Sequence, residues 1–127
     1  VVGITTMDEA IKREIYLQAK KWGLKVTVQT KKGNKASSYH ITRGNGPGLS
    51  ANKNPLFNTI KKLNLIRNKH IPLVYLKNDR ATRLQLLAGL IDTDGYVNNN
   101  VCYITQKSKL HTENIVQLAS TLGFRVT

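Results

Sequence analysis

The sequence has one cysteine and only seven acidic residues in 127. A lone Cys102 excludes an internal disulfide and any multi-cysteine zinc site, and a reducing compartment fits so little cysteine. No apolar stretch is long enough to span a membrane. The opening Val1-Val2-Gly3-Ile4-Thr5 lacks the basic region and long apolar core of a signal peptide. It also lacks a starting Met, so the chain reads as a processed or excised piece of a longer one. The glycine-rich run Arg43-Gly44-Asn45-Gly46-Pro47-Gly48 reads as a loop. It has no Gly-Lys-Ser/Thr ending, which argues against a nucleotide cradle.

The shortage of acids carries the most information. Twenty Lys and Arg stand against the seven acids, a formal charge of +13. Such a charge attracts a polyanion, most simply nucleic acid. The basic residues recur as Lys20-Lys21, Lys31-Lys32, Lys61-Lys62 and many singles. That scatter suits a folded basic surface better than a disordered tail. The length is that of about one domain, and the hydrophobic fraction is ordinary for a globular core.

In chain order, residues 1–5 read as a strand. Thr6-Met7-Asp8-Glu9 has the form of a capping box, and Ile11, Ile15, Ala19 and Trp22 follow at helical spacing. Gly23 stops that helix. Leu24, Val26 and Val28 then alternate with Lys25, Thr27 and Gln29, a half-buried strand with a polar outer face. After the basic turn Lys31-Lys32-Gly33-Asn34-Lys35, Tyr39 and Ile41 face inward, with His40, Thr42 and Ser38 outward. The two strands read as a hairpin. Asn54-Pro55 starts a short helix with Leu56, Phe57, Ile60 and Leu63 on its inner side. A connector, Leu65 to Val74, holds Lys69-His70-Ile71-Pro72, and Pro72 biases Ile71 to an extended shape. Later, Tyr96-Val97 and Val101 to Gln106 can form a hairpin around Asn98-Asn99-Asn100. Ser108 can cap a last helix with Ile115, Leu118, Ala119 and Leu122 inward. Gly123 stops it, and Phe124 to Thr127 reads as the start of a strand.

Between connector and second hairpin lies the stretch Leu87-Ala88-Gly89-Leu90-Ile91-Asp92-Thr93-Asp94-Gly95. Leu86 to Ile91 has no polar side chain and is expected to be buried on most sides. Flanking helix formers and a cap at Asn78 or Asp79 favour a helix, with Gly95 as its left-handed stop. Gly89 costs about 1 kcal/mol relative to Ala there. With Thr93 four residues on, it makes a ridge that admits a second helix. Asp94 falls at the negative end of the helix dipole, where a carboxylate makes sense if a cation joins it. Asp92 reads as a structural polar residue of the helix end.

Residues 1–27 can be laid on 101–127 without a gap, matching Ile4/Ile104, Ile15/Ile115, Ala19/Ala119, Gly23/Gly123 and Val26/Val126 among others. The expected organisation is therefore the end of a first repeat, 1–77, and a truncated second repeat, 78–127. This is the middle of a pseudo-two-fold protein. A second apolar, acid-ended helix is expected to precede Val1 in the parent chain.

The stretch from Leu87 to Gly95 resembles the LAGLIDADG motif of homing endonucleases, with Thr93 in place of Ala. Arg43-Gly44-Asn45-Gly46, Asn54-Pro55-Leu56, Lys69-His70-Ile71-Pro72 and Tyr96-Val97 are similar to the endonuclease region of fungal vacuolar ATPase inteins. The likeness is strongest from about Arg43 onward. It implies an α+β fold of αββαββα halves, with antiparallel sheets forming a saddle over double-stranded DNA. It implies that Asp94 binds Mg²⁺ or Mn²⁺ between two scissile phosphates, where a metal can generate a hydroxide nucleophile. It also implies that Lys69 stabilises charge near the attacking water. A partner acid and lysine would come from outside this chain, leaving it half an active site. DNA access implies the nucleus, at least transiently.

Lys25, Thr27, Gln29, His40, Thr42 and Arg43 are candidate base-side contacts on a ribbon entering the major groove. Lys31, Lys32 and Lys35 are candidate phosphate contacts. The function expected is a site-specific, metal-dependent double-strand DNA endonuclease within an intein. The alternatives are an RNA-splicing maturase, a DNA-binding regulator on the same fold, or a decayed, inactive endonuclease.

Overall fold

The computed structural model describes residues 2–44 and 54–127. Val1 and most of the glycine-rich loop expected at 43–48 lie outside the described residues. The chain forms two compact units, meeting in sequence at Asn64 and Leu65. Both are mixed α+β with small antiparallel sheets.

The first unit holds β1 (Val2–Thr6), α1 (Glu9–Lys21), β2 (Lys25–Thr30), β3 (Ser37–Thr42) and α2 (Pro55–Lys62). The expected hairpin is present, and β1 adds to its far side, so β3 is central in the antiparallel order β1-β3-β2. Tyr39 and Ile41 are buried with Ile15, Ala19 and Leu24 in the core. Val28, expected inward, is largely exposed, and so is Trp22, which has slid past the last turn to the helix C-cap. The capping box is corrected too. Asp8 caps α1, its carboxylate accepting from Ala10 and Ile11 backbone N–H groups, while Thr6 accepts from Asp8 N–H. A carboxylate at that position satisfies two orphan donors and suits the positive dipole end. Asn54 caps α2 as expected, and its amide also donates to the Ile41 carbonyl, tying helix to sheet. The inward face of α2, with Leu56, Phe57, Ile60 and Leu63, is only half-buried.

The second unit holds α3 (Leu73–Leu76), α4 (Arg80–Asp94), β4 (Gly95–Asn98), β5 (Val101–Ile104) and α5 (Lys109–Thr121). What reads as connector thus contains one helical turn, α3. Asp79 caps α4 by accepting from Thr82 N–H at 2.7 Å. The core joins Ile71, Leu76 and Leu87 to Ile115, Leu118, Ala119 and Leu122 on α5. Arg80 and Arg83 donate to the Leu122 and Thr121 carbonyls and so brace α4 against the end of α5. Asn99 and Asn100 take positive φ, closing the β4–β5 hairpin tightly. Phe124 to Thr127 forms no strand, because no described strand pairs with it.

Two readings of the Leu87–Gly95 stretch need correction. Only Leu87 is buried; Leu86, Leu90 and Ile91 are half-buried, and Ala88 and Gly89 are exposed. Nothing lies within 4 Å of a Cβ placed on Gly89, so the small-residue ridge faces open space. Gly95 is extended (φ −111°, ψ 177°) and begins β4 at once. It must be glycine for a different reason. A Cβ there would sit 2.9 Å from both the Ile91 and Tyr103 carbonyl oxygens.

The sequence repeat has a structural counterpart. α1 and α5 are both 13 residues long, offset by 100, and each ends at a glycine of positive φ, Gly23 and Gly123. Ile15 and Ala19 are buried in one, Ile115 and Ala119 in the other.

Candidate functional site

At the C-terminal end of α4 three side chains close a polar triangle. Lys69 Nζ donates to Asp94 Oδ2 at 2.7 Å and to Gln106 Oε1 at 3.0 Å. Gln106 Nε2 donates to the same Asp94 oxygen at 2.8 Å. Each arrives from a different element. The helix α4 carries Asp94 to its last position. Gln106 follows β5, whose pairing of Ile104 with Gly95 brings it back to the helix end. Lys69 precedes buried Ile71, whose N–H donates to Asn114 Oδ1 on α5 at 3.0 Å. That bond fixes the height of the connector. His70, beside it, spends its Nδ1–H on the Asn68 carbonyl and does not join the triangle.

The electrostatics follow from this geometry. The Lys69 ammonium, then the Gln106 amide, hold the Asp94 carboxyl below its usual range, against a smaller opposing effect of burial. A carboxylate at the negative end of a helix is thereby compensated by a cation. Both donors use Oδ2, and among the described residues no hydrogen bond engages Oδ1. Lys69 and Asp94, both named from the sequence, meet here; Gln106 was not named. A lone Gln between a strand and a helix cap gives no local signal; only the hairpin register reveals it.

His111 was missed as well. It sits in the first turn of α5 with only 3% of its surface exposed, and neither ring nitrogen has a hydrogen-bond partner. Burial pushes its pKa down, and the positive charge of Lys69 adds to that, while Asp94 pulls the other way. Asp92 and Thr93 are exposed, and Thr93 Oγ1 donates back to the Gly89 carbonyl.

The first unit presents a second candidate surface. Cross-strand partners in an antiparallel sheet share a face. The register pairs Lys25 with Thr42, Thr27 with His40 and Gln29 with Ser38, and β1 adds Gly3 and Thr5. Lys25, Thr27, Gln29 and Arg43 are exposed, while His40 and Thr42 are half-buried. Lys31, Lys32 and Lys35 are all exposed around the turn. No acidic residue occurs in any of the three strands. The structure thus brings Lys25, Thr27, Gln29, His40 and Thr42 onto one polar, acid-free strand face, with Arg43 just past β3 and Lys31, Lys32 and Lys35 between β2 and β3.

Residues 70–127 match the homing endonuclease family. The span takes in α4, Asp94, Gln106 and His111, and begins one residue after Lys69. It covers just under half of the chain, and the β1-β3-β2 sheet lies outside it. The chain is also 35% identical over 68 residues to a replicative DNA helicase, DnaB, of Mycobacterium intracellulare. That likeness takes in 52% of this chain but 12% of the helicase. No helix among the described residues is long and apolar enough to cross a membrane.

Proposed function

We propose that this chain is part of a site-specific, divalent-metal-dependent homing endonuclease of the LAGLIDADG type that hydrolyses both strands of duplex DNA. The observation that carries the reading is the Lys69–Asp94–Gln106 triangle at the end of the helix formed by the motif. An acid and an amide inside the span matched to homing endonucleases converge there with a cation that stands one residue before it.

The residues suit a shared metal site rather than a complete one. Among the described residues no group of three His, Cys, Asp or Glu could hold an ion. A Mg²⁺ ion commonly binds one or two carboxylates and completes its shell with water and substrate phosphate oxygens. Asp94, with Oδ1 uncommitted, fits one such arm. When bound, Mg²⁺ or Mn²⁺ supplies Lewis acidity and a water of lowered pKa. The side chains of this chain have their own tasks. Lys69, released from part of its bonding to Asp94, donates to a scissile phosphate oxygen and stabilises the charge that develops there. Gln106 orients the Asp94 carboxylate and accepts from Lys69, holding both in register.

In this reading the open Gly89–Thr93 ridge receives an equivalent helix from another part of the parent protein. That helix brings the second acid, so this chain contributes half of the active site. An intein as the carrier agrees with a likeness confined to a small fraction of a helicase, since a domain carried inside a host resembles only the matching insert. Kinship with the vacuolar ATPase inteins rests on the sequence motifs alone. The test is Mg²⁺-dependent cleavage of cognate duplex by the complete protein. Asp94→Asn is expected to abolish it with binding retained. An idle DNA- or RNA-binding module would bind without cutting in either form.

A further inference from the structure

We propose that Gln29 reads a base edge as a donor and that His40 sets the direction of its amide, with Gly3 making room for the imidazole. This rests on the reading of the β1-β3-β2 face as a DNA interface. It divides residues that the sequence treats alike, since His40 becomes a positioning residue rather than a contact.

Three strands contribute one residue each. Gly3 and His40 are direct partners across β1 and β3. Gln29 on β2 lies diagonal to His40, whose direct partner is Thr27. His40 Nε2 is 3.2 Å from Gln29 Oε1. The other ring nitrogen, Nδ1, is buried without a partner. A Cβ on residue 3 would lie 2.9 Å from Nδ1 and 3.1 Å from Cε1, so the β1 backbone packs directly on the imidazole. Beside it, Thr5 and Ser38 hydroxyls hydrogen bond at 2.8 Å and occupy each other.

The amide direction follows from counting donors. Amide and imidazole orientations are assigned by the network they complete. With Gln29 reversed, its NH₂ would donate to Nε2, and the neutral ring would carry its hydrogen on Nδ1. That would bury an N–H against Gly3 with no acceptor, the costlier kind of orphan. With Nε2–H donating to Oε1, only a lone pair is left buried. The carbonyl of Gln29 is then committed inward, and its two N–H donors project from an exposed side chain.

Such a group has a defined taste in the major groove. Guanine offers N7 and O6 as acceptors, and thymine offers O4. Adenine is normally read by a glutamine that donates to N7 and accepts from the N6 amino group. A carbonyl held by His40 is poorly placed for that acceptance, and the cytosine amino group offers no acceptor. The face therefore favours guanine or thymine opposite Gln29.

The experiment is selection of a randomised duplex library by the complete protein, followed by sequencing of the bound fraction. The wild type is expected to enrich guanine or thymine about tenfold at one position. Gln29→Ala should lose that preference and leave the other positions intact. His40→Ala should relax the same position, and His40→Gln should restore it, because its amide nitrogen stands where Nε2 does. The proposal is overturned if Gln29→Ala changes no position, or if His40→Ala keeps the wild-type preference there. It is also overturned if His40→Gln behaves like His40→Ala. A wild type that binds no duplex would instead overturn the DNA-interface reading underneath.

Discussion

Lys69 and Asp94 stand 25 residues apart in sequence and 2.7 Å apart in space. Their side chains remain partly open, 56% and 34% exposed. A pair this wet contributes little to stability, at most about 1 kcal/mol. Its role is in what it can do to a substrate. Asp94→Asn and Lys69→Met in the complete protein are each expected to lower the cleavage rate by at least about 10²-fold, with melting temperature nearly unchanged. The double variant should be no worse than the poorer single one, as for groups acting as a unit. Single-turnover kinetics and thermal melts read both effects.

Two glycines of the motif, Gly89 and Gly95, should respond oppositely to alanine. At Gly95 a Cβ meets two carbonyl oxygens at 2.9 Å and Ile91 Cα at 3.0 Å, so Gly95→Ala is expected to destabilise by about 1–3 kcal/mol. At Gly89 a Cβ meets nothing. Gly89→Ala should stabilise this chain by up to about 1 kcal/mol through helix propensity, yet impair the complete protein if a partner helix packs there. Denaturant melts of the chain, set beside cleavage by the complete protein, separate these effects.

The pH dependence has two windows. Burial lowers the His111 pKa from its ordinary 6.5, so below that value the unfolded chain binds more protons than the folded one. Stability therefore falls as pH drops through that range. The Asp94 carboxyl is held below its ordinary 3.8; its contribution is present above that value and is lost as pH falls through the lowered one. His111→Leu also removes two unpaired nitrogens from the core. It should leave stability at neutral pH equal or higher and flatten its loss as pH falls below the ordinary histidine value. Urea melts across pH check this.

Replacing Lys31 and Lys32 together in the complete protein should weaken binding about equally for all duplex sequences and flatten the salt dependence. These side chains are exposed at the turn between β2 and β3, where phosphate is the simplest partner. Binding isotherms over a range of salt concentrations measure the slope, and an unchanged slope would contradict the assignment.

Much of this was legible in the sequence because it is local. Period-2 alternation put Tyr39 and Ile41 inside and Thr27 and His40 on one face. Helical spacing gave Ile115, Leu118, Ala119 and Leu122 as the buried side of α5. The failures share a cause in packing between elements. Gly95 looked like a helix stop because glycine is permissive, whereas β5 crowds it from across the hairpin. The motif helix looked buried because its residues are apolar, but no described element covers Ala88 and Gly89. Gln106 and His111 carry no spacing signal; they matter because a register and a helix face bring them to one place.

The central claim is that Asp94 at the end of the motif helix serves metal-dependent DNA cleavage. The most direct measurement is cleavage of long cognate duplex by the complete protein with and without Mg²⁺, beside Asp94→Asn. Cleavage that requires Mg²⁺ and disappears in Asp94→Asn, with duplex binding intact, is the expected result. Cleavage that survives the substitution would contradict the account.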